Sequence, residues 1–106
     1  MKTLNADNAE HTVTISPGEE ISVALDENPT TGFRWTVESV SGGLSVLGSD
    51  FDAPSDSRRG AGGRRTVRLR AGDGGAGELQ LRYDRPGADP SEPARRLRFM
   101  FAVKPA

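Results

Sequence analysis

The sequence contains no cysteine and a single histidine, His11, among its 106 residues. Without cysteine the chain can form no disulfide and offers no thiol nucleophile. A serine or cysteine hydrolase also needs a histidine base, and His11 begins an alternating stretch that is typical of a surface strand. No set of histidine and carboxylate side chains has the spacing of a metal site. We therefore expect a protein that is not an enzyme and that needs neither a metal nor another cofactor.

Long apolar stretches are missing as well. Hydrophobic residues make up 34% of the chain, and no apolar run approaches the roughly 20 residues of a membrane-spanning helix, so we expect no membrane partner. Residues 1–7 lack the apolar segment of a secretory signal, which predicts a cytoplasmic protein, or a secreted or periplasmic one if a leader has been removed. Arginine supplies twelve of the fourteen basic residues. This bias is typical of a GC-rich genome and predicts a bacterial source.

Turn-forming residues are abundant, with 13 glycines and 7 prolines. They separate short stretches in which apolar and polar residues alternate, which is the pattern of half-buried β-strands. The alternation in the fourth stretch is irregular and indicates a short or bulged strand. The predicted strands cover residues 11–16, 20–26, 33–40, 44–51, 64–71, 77–84 and 95–103.

These strands predict one all-β domain over residues 11–106, preceded by a flexible, polar N-terminus over residues 1–10. About seven to eight short strands with regular turns are typical of an immunoglobulin-like antiparallel β-sandwich with Greek-key connections. Trp35 falls on the third predicted strand, where such domains often bury a tryptophan. The inward positions predict a core that contains Val23, Phe33, Trp35, Leu69, Leu81, Phe99 and Phe101.

The charges are unevenly distributed along the chain. Residues 1–56 hold two basic and ten acidic residues, whereas residues 57–106 hold twelve basic and five acidic residues. An arginine-rich half raises the possibility of nucleic-acid binding. The arginines, however, occupy outward strand positions, and earlier strands place Glu20, Asp26 and Glu38 outward. We therefore predict cross-strand ion pairs and no nucleic-acid partner. The arginines concerned are Arg68, Arg70, Arg82, Arg96 and Arg98.

The most distinctive stretch is Asn-Pro-Thr-Thr-Gly-Phe-Arg-Trp, residues 28–35. Pro29 fixes its own φ and keeps the preceding residue out of the helical region. The two threonines are stiff at χ1, and Gly32 permits a positive φ. The stretch is therefore a rigid loop that carries hydroxyl and amide groups and leads into an aromatic strand. Taken alone, it is more typical of an ordinary β-turn between core strands. Two further loops, residues 52–63 and 85–94, are long for so small a domain and are typical of functional loops.

Each of the three loops carries a short motif: Asn-Pro-Thr-Thr-Gly-Phe at 28–33, Gly-Ala-Gly-Gly at 60–63, and Arg-Pro at 85–86, two residues after Tyr83. In this order the motifs resemble those of the chagasin family of inhibitors of papain-like cysteine proteases, over nearly the whole chain. The resemblance implies a monomeric inhibitor that blocks the protease cleft reversibly and without covalent chemistry. The inhibitory loops would be residues 28–33, 58–64 and 85–90.

In the implied arrangement, residues 29–32 form a central wedge over the catalytic cysteine and histidine of the protease, and the other two loops flank it. Gly62 and Gly63 would let their backbone approach the enzyme closely. The implied partner is a papain-like cysteine protease. The implied protease-binding residues are Asn28, Pro29, Thr30, Thr31, Gly32, Phe33, Gly60, Ala61, Gly62, Gly63, Arg85, Pro86 and Gly87.

One position departs from the family pattern. The third loop of the family usually reads Arg-Pro-Trp, but Gly87 follows Pro86 here. Aromatic anchors contribute strongly to interfaces, so the change puts the inhibitory strength in doubt. Arg85 is either a charge-assisted contact or a solvated loop residue. The alternative hypothesis is an immunoglobulin-like binding or adhesion module whose inhibitor loops have degenerated.

Overall fold

The computed structural model describes residues 2–28, 32–52, 63–73, 75–85, 87 and 95–105. The prediction of an all-β domain is confirmed, because eight strands account for most of these residues. A short 3-10 helix, Ala6–Asn8, lies between the first two strands. The strands are β1 Lys2–Leu4, β2 Thr12–Ile15, β3 Glu20–Glu27, β4 Arg34–Gly42, β5 Ser45–Asp52, β6 Gly63–Arg70, β7 Gly75–Asp84 and β8 Arg95–Val103.

The strands form two four-stranded sheets. The first sheet has the order β1-β3-β6-β5 and the second has the order β2-β8-β7-β4. Most neighbours are antiparallel, as predicted, but β1 runs parallel to β3 and β2 runs parallel to β8. The sheets are therefore mixed rather than purely antiparallel. In both exceptions the paired strands are joined through other strands and not through a hairpin, so the chain can return in the same direction.

The apolar sides of the two sheets form a single hydrophobic core. Alternating residues of β3, β6, β7 and β8 point into it, with Phe99 and Phe101 among its largest buried side chains. Trp35 is also buried, and so are the other predicted core residues except Phe33. Phe33 is only half-buried. It precedes the first residue of β4, so it lies at the open end of the core rather than between the sheets.

The N-terminal segment, for which flexibility remains a prediction, contains a short strand and a turn of 3-10 helix. Leu4 is 4% exposed and pairs with Val23 across the β1–β3 ladder. The 3-10 helix that follows is capped by Asn5, whose side chain accepts a hydrogen bond from the Asp7 backbone N–H at 2.9 Å. The sequence did not indicate this strand because three residues with one apolar side chain are too short to show a period.

The predicted ion pairs on the outward faces are confirmed for most of the arginines. Arg70 contacts Glu20 at 2.8 Å, Arg98 contacts Glu10 at 2.9 Å, Arg96 contacts Glu38 at 2.9 Å and Arg68 contacts Asp50 at 3.3 Å. Arg82 instead lies 3.4 Å from Asp84 on its own strand. The hydrogen bonds from Arg96 lower the pKa of Glu38 from its ordinary value. Because water and salt screen exposed pairs of this kind, they add little to the stability of the fold.

Within the residues described, no helix is long and apolar enough to cross a membrane.

Candidate functional site

Two of the predicted loops connect to one end of the first sheet. Glu27, the last residue of β3, is paired with Gly63, the first residue of β6. Asp52, the last residue of β5, is paired with Arg64 on β6. The chain therefore leaves β3 for the first loop, and leaves β5 for the second loop, at the same end of this sheet.

The second sheet shows the same arrangement. Arg34, the first residue of β4, is paired with Asp84, the last residue of β7. Arg95, the first residue of β8, is paired with Tyr83. Because residues 28–33 join β3 directly to β4, this end of the second sheet adjoins the corresponding end of the first. All three predicted loops thus start and finish at one end of the molecule, which we call the loop end.

The predicted contact residues divide into two groups. The structure describes the bases of the loops, and these residues are Asn28, Gly32, Phe33, Gly63, Arg85 and Gly87. The remaining predicted contacts lie outside the described residues, so their assignment stays a prediction. They are Pro29, Thr30, Thr31, Gly60, Ala61, Gly62 and Pro86.

Phe33 connects the base of the first loop to the base of the third. Its ring stacks on that of Tyr83 with a centroid distance of 5.3 Å. The guanidinium of Arg85 lies over the Phe33 ring, 4.8 Å from its centroid. Cation–π contacts at exposed sites contribute roughly 0.5–1 kcal/mol. Arg85, which the sequence left as either a contact or a solvated residue, is exposed but is held in place by this ring.

Trp35 extends the same arrangement into the core. Its ring centroid lies 4.7 Å from that of Tyr83, and its indole N–H donates to the Asp26 carbonyl oxygen at 3.1 Å. The guanidinium of Arg95, where the third loop ends, lies 5.8 Å from the Trp35 ring. A continuous aromatic stack is therefore formed by Phe33, Tyr83 and Trp35. The arginines at the start and the end of the third loop, Arg85 and Arg95, lie against this stack.

Glu27 is the main residue of the loop end that the sequence analysis missed. It is 4% exposed, and its Oε1 accepts a hydrogen bond from the backbone N–H of Trp35 at 2.6 Å. Arg65 donates from Nη2 to Oε2 at 2.8 Å and from Nε to Oε1 at 3.2 Å. The guanidinium of Arg65 also lies 5.5 Å from the ring of Phe51. A signal was available, because Glu27 continues the inward alternation of β3, but the predicted strand ended one residue earlier.

The space between the bases of the first two loops is an open cleft of about 200 Å³. Glu27 and Arg65 form part of its wall, so the buried ion pair lies directly beneath the loops. The cleft is lined by Glu27, Gly32, Phe33, Arg34, Phe51 and Arg65.

Three predicted contact glycines have distinct structural requirements. Gly32 and Gly87 adopt φ values of +79° and +85°, in the left-handed region that favours glycine. A Cβ at Gly63, by contrast, would overlap the Phe51 ring and the Asp52 carbonyl oxygen. Gly63 is therefore required for packing within this chain. This reason for glycine is independent of the close approach to an enzyme that the sequence suggested.

Comparison with known proteins gives the family. Residues 14–103 match the family described as Chagasin family peptidase inhibitor I42. The chain belongs to the chagasin family. It is 34% identical to Amoebiasin-1 of Entamoeba histolytica over 86 residues, which cover 81% of this chain and 84% of that protein. It is 31% identical to Chagasin of Trypanosoma cruzi over 91 residues, which cover 81% and 83% of the two chains.

The fold of this chagasin-family protein is shared with a solved relative. The crystal structure of a cysteine protease inhibitor from Entamoeba histolytica superimposes with a TM-score of 0.82 and 25% sequence identity. The match covers 96% of this chain and 94% of that structure. The resemblance seen in the three sequence motifs is therefore confirmed at the level of both family and fold.

Proposed function

We propose that this protein is a reversible, non-covalent inhibitor of papain-like cysteine proteases, and not an enzyme. Its family consists of peptidase inhibitors. The observation that carries the proposal is that the three segments bearing the family motifs all start and finish at the loop end. Residues 28–33, 58–64 and 85–90 would enter the active-site cleft together. One monomer would fill one cleft.

The residues of the first loop suit this role. A papain-like active site holds a thiolate beside an imidazolium. The Thr30 hydroxyl and the Asn28 amide can satisfy these polar groups without presenting a scissile carbonyl. Pro29 and the β-branched threonines reduce the conformational entropy lost on binding, which favours affinity. The contact of Phe33 with Tyr83 and Arg85 holds the base of the loop and thereby also reduces the entropy lost on binding.

The finer architecture is part of the proposal. The sheet orders β1-β3-β6-β5 and β8-β7-β4 correspond to the ABED and GFC orders of an immunoglobulin-like sandwich, with β2 as a second part of the first strand. This correspondence supports an immunoglobulin-like topology with Greek-key connections. The parallel β1–β3 pair is a departure from a purely antiparallel version.

The cellular context of the inhibitor is a separate proposal. A bacterial source and a cytoplasmic location, or a secreted or periplasmic one after removal of a leader, rest on the arginine bias and the N-terminal residues alone. Fractionation of the source cells followed by immunoblotting would test the location.

The proposed function is tested by titrating the protein against papain and following hydrolysis of a peptide substrate. We expect the wild type to inhibit and Thr30→Asp to lose at least about 100-fold in inhibition, because an unpaired charge buried in an interface costs several kcal/mol. Thr14→Asp is the matched control, since Thr14 is exposed on β2 near the opposite end of the molecule and should leave inhibition unchanged.

Two results would contradict the proposal. Inhibition by a folded Thr30→Asp variant at the wild-type level would show that the first loop is not part of the binding surface. Failure of the wild type to inhibit any papain-like enzyme would favour the binding or adhesion module, a reading that Gly87 in place of the family tryptophan also favours.

A further inference from the structure

One carboxylate joins three strands at the loop end. Glu27 is the last residue of β3, its Oε1 binds the Trp35 N–H on β4 at 2.6 Å, and both its oxygens bind Arg65 on β6. The first loop starts directly after Glu27 and ends before β4. The second loop ends where β6 begins, two residues before Arg65. A single side chain therefore fixes both bases of the first loop relative to one base of the second.

Stability alone is a weak explanation for this ion pair. The side chain of Glu27 is 3% exposed and that of Arg65 is 17% exposed, so both charges have lost most of their hydration. Buried ion pairs are frequently no more stabilising than well-packed apolar side chains of the same volume. Apolar packing, however, does not fix how the contacting strands are oriented. Two parallel hydrogen bonds to a guanidinium and a third to a backbone N–H do fix that orientation.

We propose that Glu27 is a positioning residue for inhibition, which sets the two ends of the first loop relative to the start of β6 before a protease binds. This inference rests on the proposed function and extends it to a residue that lies beneath the loops. Because Glu27 is buried, it acts through the loop bases and not by contact with the enzyme. Its contribution is to reduce the ordering that binding would otherwise require.

The chain offers a closely matched control. Glu20 lies on the same strand as Glu27 and contacts Arg70 of β6 at 2.8 Å, but at the other end of the sheet and on the exposed face. Glu27→Gln keeps an oxygen for the Trp35 N–H but turns an amide N–H₂ group towards Arg65. Glu20→Gln makes the same chemical change far from the loops. A double variant, Glu27→Gln with Arg65→Met, leaves no unpaired cation in the protein. It therefore separates the loss of the ion pair from misfolding caused by a buried, unpaired charge.

In titrations against papain we expect Glu27→Gln to weaken inhibition about tenfold. The double variant should lose no more inhibition than Glu27→Gln alone, because both substitutions break the same ion pair between residues 27 and 65. Glu20→Gln should inhibit like the wild type. Thermal melts of all four proteins would show that each is folded at the assay temperature.

Amide hydrogen exchange of the free proteins tests the inference without a protease. We expect Glu27→Gln and the double variant to exchange faster in residues 28–33 and 58–64, with β7 and β8 as protected as in the wild type. A purely stabilising role would raise exchange in all strands together. The inference is overturned if the loops of Glu27→Gln exchange as in Glu20→Gln, or if β7 and β8 lose protection equally. A wild type that fails to inhibit would refute the proposed function alone, and exchange would still decide the role of Glu27.

Discussion

At the scale of single residues, the loop end depends on backbone conformations that glycine adopts most easily. Gly87 has a φ of +85°, and among the described residues no atom lies within 4 Å of the position that a Cβ would occupy there. There is room for a side chain, but the backbone disfavours one, at a cost of about 1–2 kcal/mol for an L-residue. A tryptophan restored at this position would supply the aromatic anchor of the family motif, which by itself would tighten binding. The positive φ changes that expectation.

We predict that Gly87→Trp leaves inhibition of papain within about threefold of the wild type, because the strain offsets an aromatic anchor of roughly 2 kcal/mol. Gly87→Ala is the matched control, since it introduces the strain without the ring and should weaken inhibition. Surface-plasmon kinetics on the three proteins would measure both effects. A tryptophan variant that dissociates ten times more slowly than wild type would show that the turn accepts a side chain freely.

At the scale of single elements, β1 shows how a very short strand can matter. Its three residues pair with Ile21, Ser22 and Val23 along the edge of the first sheet. The alternation directs Leu4 into the core, where it is 4% exposed, and leaves Thr3 exposed. The strand therefore both closes the core and covers part of the free edge of β3.

We predict that Leu4→Ala lowers the free energy of unfolding by about 2–4 kcal/mol, since it removes a buried side chain and leaves a cavity. Thr3→Ala, on the outward side of the same strand, should change it by less than about 0.5 kcal/mol. Urea unfolding followed by tryptophan fluorescence would measure both. Equal, small effects of the two substitutions would mean that β1 is not held against the core in solution.

At the scale of the whole molecule, every edge strand has a feature that opposes pairing with a second copy. β1 and β2 are short, with 3 and 4 residues. The edge strands on the other side, β4 and β5, are longer, but each has a register shift, between Val37 and Ser39 in β4 and between Val46 and Gly48 in β5. Short edges and bulges both discourage intermolecular strand pairing. The large hydrophobic side chains that are exposed among the described residues are limited to Val40, Val46 and Leu47.

We therefore predict a monomer, with the mass of 11.3 kDa that the sequence gives. Sedimentation equilibrium over a range of concentrations would check it. A concentration-dependent rise towards twice that mass would contradict the prediction. In that case Val46→Lys, on the exposed edge of β5, would test whether the edge strand is the contact.

Much of the fold was predictable because it is encoded locally. The strands from β2 to β8 follow from alternation over short windows. The irregular alternation of residues 44–51 left a short strand or a bulged strand open, and β5 is the bulged one, with eight residues and a register shift between Val46 and Gly48. The three loop motifs also lie in continuous sequence, so they indicated the family without any knowledge of tertiary contacts. The positive φ of Gly32 was predictable for the same reason, since it depends on one residue type in one turn.

The sequence by itself therefore determined the strands from β2 to β8, their inward faces and the family of this protein, whereas the tertiary structure decided how the loops are supported. The Glu27–Arg65 ion pair joins residues separated by 38 positions, and the contact of Phe33 with Tyr83 and Arg85 spans two loops. The parallel pairing of β1 with β3 likewise depends on where the chain returns. Such contacts depend on the register between strands that are distant in sequence, and register is fixed only when both faces of the core pack together.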